Sequence, residues 1–463
     1  MSSLTVDNAP RKPHYPPGPH GHWLFGTVRE FQTDMLNTIT DLHRRYGDAV
    51  RYRFFLNFYG YSFIHPDHYK HILQDNNKSY TKQPHPTNQL FKPIVGDGLL
   101  TNDGDSWRRQ RRLAQPAFHR RNIAGFGTTM TEATLAMLDR WQGAIAQQQP
   151  LDIAHEMMQL TLEIAGKTLF STDLTGEARA VGDAFTRANE LFAELNVKPF
   201  SLYTIRLPFW PSTRRLNRDV VILDGVVNKI IAERRQEPSG RDDLLAMLMQ
   251  SRDEETGESM DDHQLRDEVM TLLLAGHETT AVALTWAFYL LSQHPAGVQR
   301  LAAELDEVLG GETPTVAHLP HLDYTRMVIE ETMRLYPPAY GIARWGNQAD
   351  QVGGFDIPAN AVITLMPYLT HRHPAFWPEP EKFDPERFTA ERVAERPRFA
   401  YLPFGGGPRQ CIGNNFAMTE AILLLATIMQ RCRLALLPGH QVALQPLITL
   451  RPRGGMPMVV RQA

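Results

Sequence analysis

The chain has 463 residues, 42% of them hydrophobic, and a formal net charge of −3. That apolar content supports a large core and excludes a mostly disordered chain. The slightly negative balance gives no electrostatic ground for a nucleic-acid partner. Two cysteines exclude a disulfide framework and fit a reducing, cytoplasmic compartment.

Residues 1–25 read as a polar, proline-rich lead-in that includes PPGP at Pro16–Pro19. They hold no apolar run of signal-peptide or membrane-spanning length, and internal runs such as Ala421–Met429 are also too short to span a bilayer. No integral membrane anchor is expected. Asp48 to Pro66 reads as a β-hairpin around Asn57. In GDSWRRQRRLAQPAF, Gly104–Phe118, Asp105 or Ser106 is suited to cap a helix starting at Trp107. Trp107 and Arg111 then lie one turn apart and suit an anionic group. Arg108, Arg109 and Arg112 add positive charge, either as a solvated face or as a docking surface.

A long helical tract follows. From about Asp261 to Gln293 there is no proline and one glycine, Gly276. Leu265, Val269, Leu272, Gly276, Thr279 and Ala283 recur at helical spacing and share one face. At a rise of about 1.5 Å per residue the helix is roughly 50 Å long. Pro295 lies just past its end. Its centre, AGHETT, places Ala275 and Gly276 as a notch with Glu278 and Thr279 beside it. The alternative is packing alone, with the Thr279 hydroxyl bonded back to the Ala275 carbonyl. His277 and Glu278 do not begin a zinc helix, because position 281 is alanine.

EETMRLYPP, Glu330–Pro338, sets Glu331 and Arg334 three apart on a helix that the prolines end. An ordinary surface ion pair is the alternative. Val352–Tyr368 is β-like. FWPEPEKFDPERF, Phe376–Phe388, is an ordered loop whose Arg387 is placed to complete a triad with Glu331 and Arg334. FGGGPRQCIG, Phe404–Gly413, lacks the Lys-Ser/Thr of a phosphate loop and the spacing of a dinucleotide fingerprint. It puts Cys411 just before a helix N-terminus, where backbone N–H groups favour a thiolate suited to a metal. Its glycines leave room for a planar group. Cys432 falls inside the helical run and reads as inert packing. From about Val442 the chain is β-like again, which suggests one composite sheet region beside a helical bulk.

Together these pieces resemble the cytochrome P-450 superfamily, over nearly the whole chain. The cysteine loop matches at Phe404, Gly407, Arg409, Cys411 and Gly413; AGHETT, ETMR and FDPERF occur in the family's order. The resemblance implies a mainly α fold with a smaller β region, as one haem domain over 1–463 with no fused reductase. It implies haem b, iron protoporphyrin IX, with Cys411 as the thiolate ligand and Phe404 packed near it. Trp107, Arg111, Arg344 and Arg409 resemble propionate-binding residues. Glu331, Arg334 and Arg387 resemble the structural triad behind the haem. Ala275 and Gly276 would line the oxygen site, and Thr279 with Glu278 would handle protons.

The implied function is monooxygenation of a small lipophilic substrate by O2. The lipophile is a fatty acid, terpenoid or steroid-like molecule. Electrons would come from a separate ferredoxin or flavodoxin and an NAD(P)H-dependent reductase. A peroxide-driven peroxygenase is the rival enzyme, disfavoured by the Glu278-Thr279 pair. A haem-binding sensor is the non-enzymatic rival. Leu191–Pro211 would form a lid over the substrate, with Asn88–Leu100 lining the other side.

Overall fold

A computed structural model describes residues 12–463 apart from 57, 175, 199, 237–242 and 254–256. Asn57 of the hairpin, Pro199 of the lid segment and residues 1–11 of the lead-in therefore lie outside the described residues.

The proline-free stretch forms one continuous helix, Asp262–Gln293. The Asp261 side chain caps it by accepting from the Gln264 backbone N–H at 2.7 Å. Pro295 opens the next helix, Pro295–Leu309, where its missing N–H costs nothing. The central helix is buried on nearly every side, including Leu265, Val269, Leu273 and Leu284, as a helix crossing a core must be. It packs along Ile153–Phe170 and against Asp323–Leu335 and Asn414–Arg431. Helix Ala178–Asn196 lies across Pro211–Gln236 and forms part of the roof on the far side.

The hairpin forms as expected, Ala49–Phe55 against Phe58–Phe63, with Ala49 opposite Phe63. Phe58–Phe63 runs parallel to Ala361–Leu365, which pairs with Ile342–Gly346 and so reaches Tyr80–Thr81. The lead-in packs on this sheet: Pro17 O accepts from Arg51 N at 2.9 Å.

Three expectations change. The C-terminal β segment does not join the hairpin's sheet. Pro457–Gln462 pairs with Cys432–Leu436 and with Leu151–Asp152, in a sheet of its own. Cys432 is not helical: the preceding helix stops at Arg431, and buried Cys432 starts the strand. The arginine-rich helix spans Gly104–Ala114 rather than starting at Trp107. Its cap position is Asp103, whose carboxylate is taken by the Lys82 and Gln83 backbone N–H groups at 2.6 and 2.7 Å.

Candidate active site

Cys411 is held by the loop that precedes Asn414–Arg431. Its backbone N–H donates to Phe404 O at 2.9 Å, closing the loop on itself. Gly405 and Gly407 adopt positive φ, 69° and 68°, where a side chain is strained. A Cβ at Gly407 would also stand 1.8 Å from Leu73 O. Gly407 thus makes room for backbone rather than for a planar ligand, which corrects the expectation for that residue. Gly405 and Gly413 line the cavity instead. Burial pushes the Cys411 thiol up, against the opposing pull of the Gly413 backbone and of Arg111. A cation bound at the sulfur would favour the thiolate.

Cys411 opens into a cavity of about 1030 Å³ between its loop and the central helix. That lies at the top of the range for a single-ligand pocket, enough for a cofactor and a substrate. Phe404, Ala275, Gly276 and Thr279 line it with Cys411.

One end of the cavity gathers cations. Arg344 is buried, and among the described residues its one side-chain bond is to the carbonyl of its own neighbour, Ala343, at 2.8 Å. Burial first, and then repulsion from Arg409, push it down to about 10. Arg409 lies over the Trp107 ring, 4.2 Å from its centroid, and pairs with Asp103. Its buried Nη1 has no partner among the described residues. Arg111 Nη1 donates to Gln410 O at 2.9 Å. Two residues missed in the sequence complete the end. Lys82 is pushed well below its usual range by burial and by Arg344 and Arg409. His85, with an unpartnered buried Nε2, is pushed down to about 3 by burial and then Arg344. The mutually repelling Arg344, Arg409 and Lys82, with an orphaned guanidinium nitrogen and an unpartnered imidazole nitrogen beside them, fit an anionic cofactor. A porphyrin with two carboxylates at one edge and iron near Cys411 meets both demands.

On the central helix, Thr279 Oγ1 donates to Ala275 O at 2.9 Å, so the back-bonded arrangement is the one adopted, and Thr279 still lines the cavity. Glu278 is buried. Its Oε1 accepts from Asn189 Nδ2, Thr449 Oγ1 and Arg451 Nε at 2.9, 2.6 and 2.7 Å. Sequence reading missed those three partners, which lie 89 to 173 positions away. The lid segment is partly helix Ala178–Asn196 and partly the turn Ser201–Thr204; Phe192, Asn196 and Phe200 line the cavity from it. Asn88, Leu90 and Phe91 line the opposite wall from helix Pro86–Val95.

Behind the loop, Glu331 and Arg334 form a bidentate pair at 2.7 and 2.8 Å with both side chains at 0% exposure. The surface-pair alternative is excluded. Arg387 Nε reaches Glu331 Oε1 at 3.5 Å. Arg334 also donates to the carbonyls of His371, Pro380 and Lys382, which explains why the proline-rich loop is ordered. Arg108, Arg109 and Arg112 are each paired, with Asp105, Glu258 and Asp253. That lowers the net charge of the face once read as basic.

Comparison with known proteins agrees with this geometry. The Cytochrome P-450 family model matches residues 16–455. Cyclooctatin synthase of Streptomyces melanosporofaciens is 40% identical over 367 residues, 79% of each chain. Pentalenene oxygenase of Streptomyces avermitilis is 37% identical over 361 residues, 78% of each chain. The crystal structure of cytochrome P-450DA heme domain matches with a TM-score of 0.87 at 28% identity, over 98% of this chain and 99% of that one. Kinship from residue 16 to residue 455, on a backbone that follows a haem domain throughout, makes the chain a member of the cytochrome P-450 family, the haem monooxygenases.

Proposed function

We propose that this monooxygenase hydroxylates an uncharged polycyclic terpenoid, held over haem b in the cavity beneath helix Ala178–Asn196. The observation that carries the reading is the distribution of charge around the cavity. The cations that line it gather at the Arg344–Arg409 end, where cofactor carboxylates account for them. Lys198, which lines it elsewhere, is paired with Glu194. The remaining wall is dominated by side chains such as Leu90, Phe91, Leu169, Phe185, Phe192 and Ile448. A fatty acid needs an unengaged cation for its carboxylate; a terpene does not. The names of two relatives, a cyclooctatin synthase and a pentalenene oxygenase, point the same way.

When bound, haem supplies the binding and reductive activation of O2. The chain's own residues do the rest. Cys411 ligates iron and donates electron density. Arg344, Arg409, Arg111 and Trp107, joined by Lys82 and His85, hold the carboxylates. Ala275 and Gly276 leave space on the distal side. Thr279 presents a hydroxyl there, and Glu278 takes up and returns protons. Electrons arrive from separate partner proteins in the cytoplasm. The paired arginines of helix Gly104–Ala114 keep little unneutralised charge for docking, so salt should slow electron transfer only modestly.

Spectral titration of the haem-loaded protein with matched panels of terpene hydrocarbons and fatty acids tests the substrate class. Terpenes should produce the low-to-high-spin shift and an oxygenated product. A shift and product confined to fatty acids would remove the proposal.

A further inference from the structure

Glu278 is tied down more firmly than a proton carrier needs. Besides the three bonds above, Arg451 Nη2 lies 2.5 Å from the same oxygen, Oε1. Among the described residues Oε2 has no hydrogen bond, and Glu278 lines the cavity. The donors come from two separate elements. Asn189 is a fully buried residue of roof helix Ala178–Asn196. Thr449 and Arg451 flank the start of strand Leu450–Pro452, beside the turn 447–449 that lines the cavity.

The two elements are also fastened to each other. Ile448 N donates to Asn189 Oδ1 at 2.7 Å, and Arg451 Nη1 donates to Thr186 Oγ1 at 3.2 Å. Asn189 thus spends both ends of its amide on this junction. A buried carboxylate shared by the central helix, the roof and the C-terminal turn cannot keep all its bonds if the roof lifts. At this junction three bonds end on Oε1 of the acid, and two more tie the roof to the C-terminal turn and strand.

We propose that Asn189, Thr449 and Arg451 form a latch on Glu278, so that the acid is set for proton transfer only while the roof is down. A substrate touching residues 447–449 presses on the latch directly, which links occupancy to protonation. Arg451 is a positioning residue in this arrangement: it fixes Oε1 and leaves Oε2 to exchange protons. The latch rests on the assignment of Glu278 to proton transfer, and the two are separable by experiment.

The first test is amide hydrogen exchange on the haem-loaded, ligand-free protein. Arg451→Gln and Asn189→Leu should each speed exchange over residues 186–196 by on the order of tenfold or more, as loss of buried charge-assisted bonds does. Helix Asn414–Arg431 should be unchanged. Should Arg451→Gln not fold, Thr449→Val, which removes one hydroxyl, reads the same peptides. Unchanged exchange over 186–196 in these variants overturns the latch.

The second test is the solvent deuterium isotope effect on turnover, using the panel terpene with the largest spectral shift. Arg451→Gln should raise it and lower product formed per electron pair; Arg451→Lys should restore part of both. Wild-type values in Arg451→Gln overturn the positioning role. If Glu278→Gln itself keeps wild-type coupling, the proton-transfer assignment fails instead, and the exchange data still judge whether the roof is latched.

Discussion

Thr279 bonds to the Ala275 carbonyl through its hydrogen, which leaves the hydroxyl oxygen to accept on the cavity side. Thr279→Ala should therefore reduce product per electron pair by up to about a hundredfold, the lower side of what a positioned proton-handling group contributes, while peroxide release rises; Thr279→Ser should retain most coupling. Unaltered coupling in Thr279→Ala would exclude the residue from proton handling. Arg344 makes a different prediction. Its buried cation is pushed down to about 10 by burial and then Arg409, against the pull of Asp103, and it has no ion pair among the described residues. Arg344→Leu should weaken haem retention by roughly 10- to 100-fold, as expected for one charge-assisted bond, measured as haem loss to a scavenger protein. Arg344 was legible through its distance from a known motif. Lys82 and His85 were not, because they belong to no motif. They reach the site only because the Lys82 and Gln83 backbone folds onto Asp103.

At the scale of elements, the cysteine loop packs on Leu73, and the Glu331–Arg334 pair holds the segment 371–384. The loop fits only because Gly407 lets Leu73 approach. Gly407→Ala should destabilise the protein by at least about 2 kcal/mol in thermal unfolding, the range for strain at a special φ combined with a backbone clash. Glu331→Gln leaves Arg334 buried without its counter-charge and should cost about 3–5 kcal/mol. Full retention of stability in either variant would contradict the account of how the loop is supported. The long central helix was readable to within one residue because its periodicity, cap and terminating proline all agree. The break at Cys432 was not. The apolar run passes from helix into strand without glycine or proline, and only pairing with Pro457–Gln462 decides the change. The separation of the two sheets is likewise a property of long-range pairing that local patterns do not carry.

At the scale of the whole molecule, the interior holds carboxyl groups that pair with no cation among the described residues. Glu420, fully buried on helix Asn414–Arg431, is pushed up to about 8 by burial, with the neighbouring Thr280 hydroxyl restraining the rise. Glu268, on the central helix, is pushed up to about 7 by burial, despite accepting from Leu99 N at 3.0 Å. A carboxyl whose folded pKa exceeds its unfolded value binds its proton more tightly in the native state. Its favourable contribution is complete below the ordinary carboxylate range and is lost as pH rises toward the folded value. Stability should thus decline between about pH 4.5 and pH 8 from this source. Glu420→Gln should flatten that decline in denaturant unfolding at a series of pH values. An unchanged pH slope would show that Glu420 is not held neutral. Neither group announced itself in the sequence, where Glu420 reads as one polar residue in an apolar helix; its burial follows from packing on Arg120–Ala146 and on the central helix.

The proposed oxygen chemistry depends on iron being held by Cys411 at the floor of the cavity. The reduced, carbon-monoxide-bound absorption spectrum tests this most directly. The wild-type protein and Cys432→Ser should both show the Soret band at the red-shifted position characteristic of thiolate ligation, and Cys411→Ser should lose it. A thiolate-type band that persists in Cys411→Ser, or its absence from a fully haem-loaded wild type, would contradict the account.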